Sequence, residues 1–168
     1  MRLAKDPVLY QKATKKILAQ IDAMGLSPEK RKKAIHFVQL FREAFTKEEV
    51  KKATAWANSA DNIWDLGYDS AGFCRVSSIS FMIAMDFHDW QLMAVDKEKC
   101  QWKYSHHWLQ HKASGKILDL TYDQFLTPVP YKAGEPAEMG AFLKDETAVF
   151  ARSIGLDLTK MLIETQGK

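Results

Sequence analysis

Apolar residues recur every three or four positions through the first third of the chain, the spacing of amphipathic helices. Leu9, Ala13, Ile17, Ile21 and Met24 form one stripe over residues 8–24, with lysines opposite and Gly25 suited to the C-terminal cap. Ser27-Pro28 reads as the next start, Ser at the N-cap and Pro at the first helical position. Ile35, Val38, Leu40, Phe41 and Phe45 give that helix its buried side. Thr46-Lys47-Glu48-Glu49 has the capping-box pattern and predicts a third helix reaching about Ala57.

The pattern then changes twice. Asn58 to Ser70 mixes Asn, Asp, Ser and Gly around Ile63-Trp64, which predicts a structured loop. Cys74 to Met85 interleaves Val76, Ile79, Phe81 and Ile83 with small residues, which predicts a buried helix. From Trp90 a strand-like pattern takes over, with strands expected at Trp90–Val95, Trp102–Gln110 and Lys116–Leu120 and a hairpin turn at Ser114-Gly115. Pro128, Pro130, Gly134 and Pro136 predict a loop, and helices over Ala137–Ile154 and Leu156–Ile163 close the chain. The expectation is one α+β domain over residues 1–168. It divides into a helical N-terminal segment (1–58), a core (59–127) and a C-terminal loop with helices (128–168).

Composition narrows the function classes. A chain of 168 residues with 46% hydrophobic content can bury a real core. Its net charge of +3 is too small to argue for nucleic acid, and Lys30-Arg31-Lys32-Lys33 reads as a solvated helix face. Cys74 and Cys100 are too few for a disulfide framework and fit no zinc spacing. The first residues lack a signal-peptide core, and the run Ile79–Phe87 is too short for a bilayer. These features predict a soluble cytoplasmic protein with reduced thiols, no cofactor and no membrane partner.

A thiol, an imidazole and a carboxylate follow one another on separate expected elements: Cys74, the pair His106-His107, and Asp119. They supply a sulfur to attack, a base to deprotonate it and an acceptor to hold the base in one tautomer. Cys74 follows Gly72-Phe73 at a loop-to-helix junction, where a helix N-terminus favours a thiolate. Cys100, after Lys97-Glu98-Lys99, is expected in a loop. In a strand His106, Trp108 and Gln110 share one face and His107, Leu109 and His111 the other, so only one of the tandem histidines should face Cys74. Asp119 lies in apolar Ile117-Leu118-Asp119-Leu120, where a charge needs a partner. The hairpin offers one, although Asp119 could instead cap Thr121 and Gln124. A metal site from His106, His107, His111 and Asp119 is disfavoured by the same alternation.

Gly72-Phe73-Cys74, His106-His107-Trp108 and Leu118-Asp119-Leu120-Thr121, continued by Gln124-Phe125, resemble the transglutaminase-like and YunG-like proteins of the papain-like fold. The resemblance covers about 55 residues. It implies a central Cys-bearing helix packed on a small antiparallel sheet, with Cys74 as nucleophile, His106 as general base and acid, and Asp119 orienting His106. The implied activity is thiol-dependent acyl transfer or amide hydrolysis (peptidase, amidase, deamidase or transglutaminase-like) on a peptide, protein or small amide. A papain-type glutamine before the cysteine is missing, since Tyr68, Asp69 and Ser70 stand there. Asn62, Trp64, Tyr68 and Trp108 are therefore the expected oxyanion or substrate-binding groups, beside the Cys74 backbone N–H. The alternative expectation is a non-catalytic papain-like module acting through protein–protein contacts.

Overall fold

Asp6 accepts hydrogen bonds from the backbone N–H of Val8 and Leu9 and so starts the first helix, α1 (Pro7–Asp22), whose Ala13, Ile17 and Ile21 turn inward. The computed structural model describes residues 6–54, 69–70, 72–100, 105–125, 127–140 and 146–167. Helix α2 (Pro28–Ala44) begins at Ser27, whose hydroxyl accepts from the Lys30 N–H, and buries Ala34, Phe37, Val38, Phe41 and Ala44. Helix α3 (Glu48–Ala53) starts later than the capping-box pattern predicts. Thr46 spends its hydroxyl on the Glu43 carbonyl behind it, so α3 has no side-chain cap.

Helix α4 (Cys74–Met85) buries every residue except Arg75. A helix apolar all round belongs in the centre of a core, and α4 packs against α2, α6 (Glu146–Ser153), α7 (Leu158–Gln166) and the sheet. Phe41, Phe45, Phe73 and Phe150 meet edge-on or tilted around its first turns.

The sheet is antiparallel in the order β3-β2-β1-β4. Strand β1 (Trp90–Val95) pairs Leu92 with Leu109 and Ala94 with His107 of β2 (His106–His111). Leu109 pairs in turn with Leu118 of the two-residue β3 (Ile117–Leu118), shorter than the strand expected at Lys116–Leu120. Gly115, at φ +68°, makes the hairpin turn. A fourth strand, β4 (Glu135–Pro136), lies where the prolines predict only loop. Lys97–Cys100, also expected as loop, is a single helical turn, α5. Residues 137–140, within the helix expected from Ala137, are irregular, and the described part of α6 spans Glu146–Ser153. Among the described residues, no helix is long and apolar enough to cross a membrane.

Leu92, Leu109 and Leu118 join the main core with α1, α2 and α4, whereas Val95 and Trp108 form a second, smaller cluster with Met93, Ile117 and Tyr131. The N-terminal helices are thus part of the same core as α4.

Candidate active site

Gly72 turns the chain into α4 at φ +83°, a left-handed backbone that a Cβ would penalise. Phe73 stacks on Phe45, the residue that follows α2, ring centroids 4.6 Å apart at 18°, and pins the start of α4. Among the described residues, no side chain caps that start. The positive end of the helix and its orphan N–H groups are therefore left to the next side chain, which is Cys74.

Cys74 is 7% exposed, with its sulfur 4.0 Å from His107 Nδ1. Burial alone would push the thiol up. Hydrogen bonding to His106 and then to His107, with their charge, outweighs burial and brings Cys74 from 9.0 down to about 6. Both tandem histidines therefore act on the sulfur, where strand alternation allows only one. They stand at the first residues of β2, beside the first turn of α4, where the sheet ends and no longer screens its two faces from each other.

His106 is wholly buried, and its Nε2 lies 2.7 Å from Asp119 Oδ2. Burial disfavours its charged form, but the Asp119 charge and hydrogen bond, with help from Cys74, more than offset that and raise His106 from 6.5 to about 10. The ring lies edge-on to Phe125 at 4.6 Å and near-parallel to Trp108 at 5.9 Å.

The buried Asp119 carboxylate is fully engaged. Oδ2 also accepts from the Tyr131 hydroxyl at 2.9 Å, and Oδ1 accepts from the Thr121 N–H at 3.1 Å. The capping role and the histidine-holding role are thus both present, one on each oxygen. Burial, ahead of the Asp119 charge, pushes the Tyr131 hydroxyl far up, so it remains a donor.

Gln124 ties these pieces together. Its Nε2 lies 3.1 Å from His106 Nδ1 and donates to Thr121 Oγ1 at 3.0 Å, while its Oε1 accepts from the Gly72 N–H at 3.4 Å. The helical turn that carries it, Tyr122–Gln124, is held by an ion pair to the buried Arg42. Arg42 of α2 grips both oxygens of Asp123 at 2.7 and 2.9 Å and also donates to the Leu120 carbonyl. Ser70 donates to the same carboxylate at 3.0 Å. From α1, Gln20 accepts from the Asp119 N–H at 3.3 Å. The N-terminal helices therefore form the frame of this site rather than an appendage to it.

The structure brings Cys74, His106 and Asp119 together and adds His107, Gln124, Tyr131, Gln20 and the Arg42–Asp123 pair. Position 42 had a signal: it follows Val38 by four residues on the buried stripe of α2, so an Arg there needs an acid. Gln124 had one in its spacing from Thr121. Tyr131 and Gln20 had none. Trp108, expected among the oxyanion or substrate-binding groups, is buried. It is shut into the second cluster against Tyr131, and a Cβ at Gly134 would come within 2.2 Å of its ring. Asn62, Trp64 and Tyr68, the other expected oxyanion or substrate groups, lie outside the described residues. His111 turns away to Ser114 Oγ at 2.8 Å and to Trp90, so the histidines do not converge on one metal position with Asp119.

Fold and site define an α+β domain with a buried thiol–imidazole–carboxylate cluster where its central helix meets a four-stranded antiparallel sheet. No family model, curated protein or solved structure matches the chain.

Proposed function

We propose that this protein is a thiol-dependent enzyme of papain-like, transglutaminase-like arrangement that transfers or hydrolyses acyl groups through Cys74. The observation that carries this reading is the pairing of an uncapped helix N-terminus under Cys74 with a His106–Asp119 pair at 2.7 Å, both members without solvent exposure. A buried ion pair of this kind is costly to maintain for stability alone. Here it places positive charge beside a sulfur that must become an anion to react.

The chemistry follows from the geometry. The thiolate attacks a carbonyl carbon, and the first-turn N–H groups of α4 face the oxyanion that forms. The C–N bond breaks as an imidazole N–H protonates the leaving nitrogen, leaving a thioester on Cys74. Water or an amine then takes the acyl group and returns the proton to the imidazole. A peptide, protein or small amide fits this scheme.

The test uses p-nitrophenyl acetate as a general acyl donor, with acetylation read peptide by peptide by mass spectrometry. Cys74 should acetylate in a burst at neutral pH, and Cys74→Ala should abolish the burst. If Cys100 is modified as fast as Cys74, the activated-thiol reading fails.

A further inference from the structure

Two imidazoles flank one sulfur, and their surroundings differ. Both ring nitrogens of His106 are taken, Nε2 by Asp119 at 2.7 Å and Nδ1 by Gln124 at 3.1 Å. The Gln124 amide can serve Nδ1 in either charge state, donating N–H to the neutral ring as it stands or, turned over at the expense of its bond to the Gly72 N–H, offering Oε1 to the charged one. His106 is also sealed from solvent by Phe125 and Trp108. A group that carries protons needs a free lone pair facing the acid and a route for the proton to leave. His106 has neither.

His107 has both. Its Nδ1 lies within hydrogen-bond reach of the Cys74 sulfur, at 4.0 Å, and such bonds in unliganded enzymes often shorten once substrate is bound. The residue is partly exposed, so its ring can exchange protons with water or a leaving group. Its cross-strand neighbour on β1 is the small Ala94.

We infer that His107 is the catalytic residue that exchanges the proton with Cys74, while His106, held by Asp119 and Gln124, is the fixed positive partner of the thiolate. This rests on the thiol-enzyme reading above and divides its labour between two rings. Cys74 first gives its S–H proton to His107 Nδ1, and the resulting thiolate then bonds to the carbonyl carbon. The same nitrogen gives the proton to the departing amine as the C–N bond breaks, so atoms and charge balance within one turnover.

The test compares wild type, His107→Ala and His107→Gln. Iodoacetamide alkylation at the Cys74 peptide is followed against pH, and p-nitrophenyl acetate acetylation is followed with and without added imidazole. Alkylation near pH 6 should slow about tenfold in both variants as the thiol midpoint rises. Added imidazole should restore acetylation of Cys74 at least about threefold in His107→Ala, because a small base can occupy a partly exposed gap. Variants that alkylate and acetylate like wild type overturn the assignment, as does slowed acetylation that imidazole leaves unchanged. A wild-type midpoint in the free-thiol range, about 8.5, removes the thiol-enzyme reading itself. A lowered midpoint indifferent to position 107 removes only this inference.

Discussion

Asp119→Asn keeps the shape of the side chain and removes its charge. Burial works against a charged His106, and Asp119 is the chief influence that reverses this. The rise of that ring from 6.5 to about 10 is worth about 5 kcal/mol of preference for the charged form. Without the carboxylate the ring is neutral in the physiological range, and the thiolate loses its main counter-charge. In the limit of full return, Cys74 goes back to a free-thiol pKa of about 8.5. Two consequences then oppose each other. Near pH 6 the thiolate fraction drops from about one half to well under 1%, roughly a 150-fold loss. The more basic thiolate is meanwhile about tenfold more nucleophilic, for a Brønsted slope of about 0.45.

The net expectation is alkylation about tenfold slower than wild type near pH 6 and about tenfold faster above about pH 9, with the two profiles crossing near about pH 7.5. Iodoacetamide labelling of the Cys74 peptide from about pH 5 to about pH 10 measures this directly. The crossing matters most, because general loosening of the site would not make the variant faster at high pH. Parallel profiles that never cross, or a midpoint that does not move, refute the coupling between Asp119 and the sulfur.

Stability should carry the same signature. The folded pKa of His106 lies above its unfolded value, so its contribution is complete below about 6.5 and lost as pH rises through about 10. The folded pKa of Cys74 lies below its unfolded value, so its contribution is complete above about 9 and lost as pH falls through about 6. Between about 6.5 and about 9 the two slopes cancel, since folding releases one proton at Cys74 and takes one up at His106. Cys74→Ser removes the rising half, so its stability to urea should decline from pH 7 to pH 9 where wild type is level; equal slopes would contradict this. Asp123→Asn leaves the Arg42 guanidinium buried without its carboxylate and should cost about 3–5 kcal/mol in urea unfolding. The double variant Arg42→Met, Asp123→Asn should recover much of that loss, whereas a single-variant cost below about 1 kcal/mol would show the pair to be incidental.

Local physics made much of this protein legible in its sequence. Ser27-Pro28 sets the start of α2, and the turn at Gly115 needs only its own backbone. The all-round apolar character of Cys74–Met85 marks a central helix without reference to what surrounds it. Position 74 at the head of that helix and Asp119 in an apolar segment were readable for the same reason: a cap site and a buried charge are costs a short stretch of chain reveals. Thr46 shows the limit even of local signals, since its hydroxyl had two backbone partners within reach and took the rearward one.

Tertiary structure decided everything that depends on which distant groups share a buried volume. Strand alternation sorts His106 from His107 only while a sheet separates its faces, and at the end of β2 that separation stops. His107 Nδ1 stands 4.0 Å from the sulfur, while His106 is fixed by Gln124 at Nδ1, 18 residues away, and by Asp119 at Nε2, 13 residues away. Gln124 is itself placed by Arg42, 81 residues from the Asp123 it grips. Hydrogen-bond saturation in a desolvated site is a property of the assembled packing, because each buried polar atom must find its partner wherever the fold delivers one. Periodicity names the helix that carries the thiol. Only the closed core determines which nitrogen stands beside it.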